Sequence, residues 1–246
     1  MGDGGRILAV IPARGGSKGL PGKNVRAFAG LPLIAHSILL AKRCPEIGRC
    51  VVSTDSEEIA EVARQFGAEV PFTRPPELAR DDSPLWEVLR HALGAAGQGE
   101  ELLLLLDPTS PAREPADVAK AMQLLRGRPE ADGVIAVSKP DFNPIWHCVV
   151  EQDGWMKDFD AAGGAYARRQ DVPPVYRING SLYLWRTPFV RAQSEATWRR
   201  GKHLMLQTPE SRAMSIDTLE QFARAELLVK HGFIPLAWLH EAASVR

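Results

Sequence analysis

Between Ile11 and Asn24 the chain reads Ile-Pro-Ala-Arg-Gly-Gly-Ser-Lys-Gly-Leu-Pro-Gly-Lys-Asn. The cations Arg14, Lys18 and Lys23, with Arg26 just beyond, stand among glycines with no acid between them. Glycine lets backbone N–H groups approach an anion closely, and the cations add charge, so this spacing suits a polyphosphate. Three other motifs compete for the loop. A Walker A loop requires Gly-Lys followed by Ser or Thr; here Asn24 follows Gly22-Lys23, and Ser17 stands where the first glycine belongs. A dinucleotide fingerprint opens a helix with Gly-x-Gly-x-x-Gly, a spacing that Gly15, Gly16, Gly19 and Gly22 do not give. Gly15 to Gly19 does spell the Gly-x-Ser-x-Gly nucleophile elbow. A serine nucleophile gains nothing from four uncompensated cations, and no matching His and Asp context follows. A phosphate cradle is the reading retained.

The elements that must hold this loop alternate strand with helix. A strand is predicted over about Arg6 to Ala13, a helix over Leu33 to Lys42 and a second strand over Arg49 to Thr54. Asp55-Ser56-Glu57-Glu58 reads as a capping box, with Asp55 as cap, for a helix to Phe66. A short third strand is expected over Glu69 to Arg74, and a helix over Trp86 to Ala96. The leucine run ending at Leu106, before Asp107-Pro108, suits a strand buried on both faces. A helix over Pro115 to Arg126 and a strand over Gly133 to Ser138 follow. The alternation predicts a mostly parallel sheet covered on both sides, with ligands beyond the strands' carboxyl ends. That rim would carry the basic loop, Ser53-Thr54-Asp55 and Asp107-Pro108-Thr109-Ser110.

After Ser138 the rhythm breaks. A strand over Trp146 to Gln152 is expected to open a hairpin turning at Asp153-Gly154, then an irregular stretch over Trp155 to Pro174, strands over Ser181 to Trp185 and His203 to Gln207, and a helix over Thr218 to His231. Trp146, Trp155, Tyr166 and Tyr176 in this part suit an oligomer interface or a private mini-core equally. The 30 basic and 30 acidic side chains balance, which disfavours a nucleic-acid footprint. The apolar run Ile7 to Ile11 is too short for an export signal or a membrane span. Three cysteines without zinc spacing fit reduced thiols in a cytoplasm. His36, His91, His203, His231 and His240 read as scattered surface or core residues.

Several segments together resemble the acylneuraminate cytidylyltransferases, the CMP-sialic acid synthetases. The loop from Ile11 to Asn24 is similar to their signature. So are Val52 to Ala60, Pro71 to Ala79, Pro108-Thr109-Ser110-Pro111-x-Arg113, and Arg169-Gln170-Asp171 with Tyr176 to Tyr183. Ser215-Ile216-Asp217-Thr218 lies where that family carries a metal-binding Asp-x-Asp-Thr. The resemblance runs from about residue 7 to residue 230. It implies a Rossmann-like nucleotidyltransferase (GT-A-like) three-layer αβα sandwich spanning residues 1–246 as one domain. A dimerisation segment at about 140–180 would reach the partner's site. The implied reaction is that of CTP with a nonulosonic acid, giving CMP-sugar and pyrophosphate, with Mg2+.

On this resemblance Arg14, Lys18 and Lys23 are the catalytic cations, with Lys23 facing the α-phosphate. Ala13, Gly15, Gly16, Ser17, Asn24, Arg74 and Ser83 would bind nucleotide. Asp107, Thr109, Ser110, Arg169, Gln170, Arg177, Asn179 and Tyr183 would surround the sugar, the arginines offering a planar fork to its carboxylate. Asp217 is the expected metal ligand, and it also reads as a cap in the box Asp217-Thr218-Leu219-Glu220. The sequence departs from the family in three places. Ser215 replaces the first metal acid, Asp107 stands where the family has Gln, and Asp81-Asp82-Ser83-Pro84 replaces Asp-Thr-Ala/Ser-Ser. Asp107 is therefore a second candidate metal ligand, supplying the missing charge from a facing strand end. Other readings are the same reaction on an octulosonate or a diacetamido nonulosonate, and a CTP-binding module without turnover. No nucleic-acid or membrane partner is expected, and a homodimer is.

Overall fold

The computed structural model describes residues 7–192, 197 and 199–239; Arg6 and His240, named above, lie outside them. β1 (Ile7–Pro12) leads through the basic loop to a small ribbon of β2 (Ala27–Phe28) and β3 (Leu31–Pro32). α1 (Leu33–Lys42), β4 (Ile47–Ser53), α2 (Glu57–Gln65), α3 (Leu85–Ala96), β5 (Leu102–Leu105), α4 (Pro115–Arg126) and β6 (Gly133–Ser138) follow. Then come α5 (Pro144–His147), the hairpin of β7 (Val149–Gln152) and β8 (Trp155–Asp158), β9 (Arg177–Arg186), α6 (Thr187–Ala192), β10 (His203–Gln207) and α7 (Leu219–Lys230).

The main sheet has the order β10-β6-β9-β5-β1-β4. All neighbouring pairs are parallel except those of β9, which runs antiparallel to both β5 and β6. The strands are apolar on both faces because helices cover both. Ile7, Ala9, Ile11, Leu104 and Leu184 pack toward α1, α2, α4 and α7, while Leu8, Val10, Leu103, Leu105 and Trp185 meet α3 and α6. Leu102 to Leu106 are at most 5% exposed, so the leucine run is a doubly buried strand, as its composition required. Each such leucine stabilises the fold by about 1.5–3 kcal/mol through burial.

Three expectations need correction. The third strand shrinks to one parallel bridge, Val51 to Glu69, because Pro71 has no N–H to extend the ladder. α2 is capped by Ser56, whose hydroxyl accepts from Ile59 N; Asp55 is turned toward the basic loop. α7 is boxed one residue later than the sequence suggested, by Thr218 and Gln221, which frees the Asp217 carboxylate from capping. The hairpin turns at Asp153 and Gly154, both with positive φ (54° and 81°), the geometry of a tight two-residue turn, but its first strand starts at Val149 because Trp146 lies in α5, and Trp155–Asp158, expected to be irregular, is its second strand. Its side chains are open to solvent: Trp155 is 72% and Met156 77% exposed, so no mini-core encloses them.

His36 on α1 is a core histidine. Its Nε2–H donates to Phe28 O at 2.9 Å, and its Nδ1 accepts from Trp238 Nε1 at 2.8 Å. This pairing requires the neutral ring, and burial pulls its pKa down to about 4. The unfolded chain therefore binds a proton that the folded chain refuses. Stability from this group is complete above about pH 6.5 and declines toward pH 4, by about 3 kcal/mol in all. Tm measured across that window should fall for the wild type and fall less for His36→Gln; equal slopes would remove His36 as the cause.

Candidate active site

The basic loop leaves β1 in register with β4, since Ala13 N still donates to Ser53 O at 2.9 Å. It then folds over the rim. Gly15 N donates to Asp55 Oδ1 at 2.9 Å, which fixes the loop's first half to the end of β4. The second half is set by a turn in which Lys23 N donates to Leu20 O at 3.2 Å and Gly22 takes a φ of 66°. That is the place where a Pro-Gly pair is favoured. Asn24 Nδ2 donates to Arg14 O at 3.1 Å and closes the loop on itself. At Gly19 the backbone passes so near the last helix's entry that an added Cβ would lie 2.4 Å from Asp217 O. Glycine is required there by close approach.

Each cation of the loop meets a carboxylate. Lys23 Nζ lies 2.9 Å from Asp217 Oδ1, and Ser215 Oγ donates to Asp217 Oδ2 at 2.8 Å. Burial pushes the Asp217 carboxyl up, but the hydrogen bonds from Lys23 and Ser215 outweigh it and hold the group below the usual range. Arg14 pairs with Asp81 at 2.6 Å, and Lys18 pairs with the same carboxylate. Asp81, named from sequence only as part of the run that departs from the family pattern, is brought by the fold to both of these loop cations.

The second carboxylate of interest is Asp107, just beyond β5. Its Oδ1 accepts from Thr109 N at 3.0 Å and from Thr109 Oγ1 at 2.9 Å, an Asx turn that fixes the side chain. The segment carrying Asp217 is tied to this turn: Ile216 N donates to Thr109 O at 3.0 Å, and Ser110 Oγ to Met214 O at 2.9 Å. Asp107 and Asp217 thus sit on adjacent, directly bonded segments. Arg113, 2% exposed, donates to Asp107 O, to Ser181 O and to Ser37 Oγ, bracing the turn against β9 and α1. It belongs to the quoted Thr-Ser-Pro-x-Arg segment, and burial lowers its pKa to about 10.

The remaining candidates fall into groups. Arg74 is buried and donates to Ser53 Oγ at 3.1 Å and to Ser53 O, behind the loop. Ser83 closes its own turn, donating to Glu77 O at 2.8 Å. Arg177 pairs with Glu210 at 2.8 Å and donates to Ala213 O at 3.0 Å, so it lies along the strand-like run toward Asp217. Asn179 spends its amide on Thr208 Oγ1 and on the N–H and hydroxyl of Ser181. Tyr183 is stacked on Trp185, and burial together with the Asp107 charge raises its phenol. Arg169 and Gln170 stand on an exposed turn; Arg169 donates to Asp141 O at 2.9 Å. Arg26 lies over the Phe222 ring at 5.5 Å and faces solvent.

Among the described residues no three metal-ligating side chains converge. The carboxylates at the loop are Asp55, Asp81 and Asp217, and Asp107 stands on the segment bonded to the one that carries Asp217. Magnesium is held by one or two carboxylates plus substrate phosphates, so this donor set fits it.

The protein-family comparison matches a model described as "Cytidylyltransferase" to residues 8–231. The CMP-N,N'-diacetyllegionaminic acid synthase of Legionella pneumophila is 36% identical over 236 residues, covering 92% of this chain and 97% of that protein. The N-acylneuraminate cytidylyltransferase of Streptococcus agalactiae serotype V is 31% identical over 218 residues, 87% of this chain and 51% of that protein. Among solved structures, CMP:2-keto-3-deoxy-manno-octonic acid synthetase complexed with CTP superposes with a TM-score of 0.69 at 18% identity, covering 92% of this chain and 99% of that one. That likeness establishes the nucleotidyltransferase fold. With a model match over nearly the whole chain and relatives above 30% identity, the chain belongs to the cytidylyltransferase family.

Proposed function

We propose that this enzyme transfers CMP from CTP to the C2 hydroxyl of a sialic-acid-like nonulosonic acid and releases pyrophosphate. The observation that carries the reading is the pairing of Lys23, on a glycine-rich cationic loop, with Asp217 at the strand-end rim. The names of the relatives supply the substrate class, CTP and a nonulosonic acid.

In this reading Arg14 and Lys18 neutralise the triphosphate, with backbone groups from Ala13 to Ser17 and Asn24 around it. Lys23 faces the α-phosphorus, where charge grows as the sugar oxygen attacks in line and the bond to pyrophosphate breaks. Such transfers depend on positioning and charge neutralisation more than on covalent help. Magnesium, when bound, would add positive charge between the triphosphate and the carboxylates. Asp217 would hold it, and Asp107, on the bonded neighbouring segment, would take the place of the family acid replaced by Ser215. Arg74 and Ser83 lie on the nucleotide side. Thr109, Ser110, Arg177, Asn179 and Tyr183 wall the sugar side, the carboxylate going to Arg177 or to Arg169 with Gln170. The exposed arm with Trp155 and Met156 supports a homodimer in which the arm covers the partner's site. Among the described residues no helix is long and apolar enough to cross a membrane. Burial raises Cys44 and Cys50 to about 12, which suits unreactive thiols and a cytoplasmic setting. Ser215 favours one second reading, a CTP-binding module without turnover.

Pyrophosphate release from CTP, assayed with sialic, octulosonic and diacetamido nonulosonic acids, separates these. Turnover with a nonulosonic acid is expected; CTP binding without release for every acid would leave the module. Asp217→Asn should lose turnover by more than a hundredfold while Tm stays within a few degrees, since the pair is open to water on the Asp217 side and a water-screened pair contributes about 0–1 kcal/mol. Asp107→Asn should raise the magnesium concentration needed for half-maximal rate; an unchanged requirement with weaker sugar binding would make Asp107 a sugar ligand. Asp81→Asn should lower the KM for CTP about two- to fivefold, because Asp81 competes with the triphosphate for Arg14 and Lys18. A raised KM would instead make Asp81 the residue that aims those cations.

A further inference from the structure

The parallel ladder between β1 and β4 closes with Pro12 opposite Ser53, and Ala13 N donates to Ser53 O just beyond it. A further rung would join Gly15 N to the backbone carbonyl of residue 55, since parallel bonds are evenly spaced along the strands. Here the Asp55 side chain supplies the acceptor instead, with Oδ1 2.9 Å from Gly15 N. A carboxylate thus carries the ladder one rung past the last strand residues and into the cation loop. The approach is close: a Cβ on Gly15 would lie 3.1 Å from Ser56 Cβ.

The residue between the two rungs is Arg14. The peptide unit that follows it is fixed at both ends. Its carbonyl, Arg14 O, accepts from Asn24 Nδ2 at 3.1 Å, and its N–H, on Gly15, is held by Asp55. Gly15 and Gly16 have no side chains with which to pack this stretch against the fold, so the two hydrogen bonds set its direction. A guanidinium meets a phosphate through a planar fork, and such pairing is sensitive to the direction of approach. Asp55 is exposed, and α2 does not use it as a cap, since Ser56 fills that place. We infer that Asp55 is a positioning residue for the triphosphate: by holding the Gly15 amide it aims Arg14 at the phosphates. The assignment rests on the cytidylyltransferase reading and deepens it.

The test is calorimetric titration of the protein with CTP and magnesium, without sugar. Asp55→Ala should weaken CTP binding about fivefold or more, through loss of a charge-assisted hydrogen bond that orders the loop. Asp55→Asn keeps an oxygen that accepts from Gly15 N, and should recover the affinity to within about twofold. In an Arg14→Ala background, where Lys18 and Lys23 still draw the nucleotide, Asp55→Ala should change the affinity by less than about twofold, because the side chain it aims is gone. A merely structural Asp55 would weaken both backgrounds equally. Equal loss in the two backgrounds, unchanged or tighter binding by Asp55→Ala, or failure of Asn to substitute overturns the assignment. A wild type that binds no CTP overturns the cytidylyltransferase reading itself, so the two failures are distinct.

Discussion

The site depends on one contact between distant parts of the chain. Lys23 and Asp217 are 194 residues apart in sequence and 2.9 Å apart in space. For that pair to form, the loop after β1 must lie on the turn before α7, and Gly19 lets the backbones come within a distance that no Cβ tolerates. The same approach sets where Arg14 and Lys18 stand, because Asn24 ties the loop's end back to Arg14 O. On the far side, the turn before α7 is bonded through Ile216 to Thr109. Loop, Asp217 and Asp107 are therefore positioned as one unit by short backbone links.

The electrostatics of this unit are those of a site filled by its own acids. Asp81 answers Arg14 and Lys18, and Asp217 answers Lys23. These pairs are partly open to water, so each is worth little to stability. Their value lies in what replaces them. In the proposed reaction a triphosphate, with more charge than Asp81, would take both of its cations, and Asp217, released from Lys23, would be free to hold a divalent ion.

Much of this was legible in the chain. The leucine run, the alternation of elements and the Pro-Gly turn in the loop are local signals, and local physics decides them. The antiparallel course of β9 was not legible, because a strand's direction depends on what it pairs with. The caps at Ser56 and Thr218 were displaced by one residue from the expected Asp55 and Asp217. In both cases an acid that could have capped a helix was drawn to the basic loop instead: Asp55 to Gly15 N, Asp217 to Lys23. Tertiary charge overrode local preference at the two places where the loop is anchored. The pairing of Asp81 was missed for the same reason, since its partners lie more than sixty residues away in sequence.

The reversed strand β9 has a mechanical consequence. Because it runs against its neighbours, its first residue, Arg177, pairs with the last residue of β6, Ser138, at the rim where the parallel strands end. The arm between them therefore leaves and re-enters the sheet at one place, beside the site. A longer or shorter arm is absorbed in solvent without altering the register of a core strand. A pull on the arm, however, reaches Arg177 directly, with no helix or packed layer between. The position best placed to tolerate change in length is also the one best placed to transmit a change in tension to Arg177.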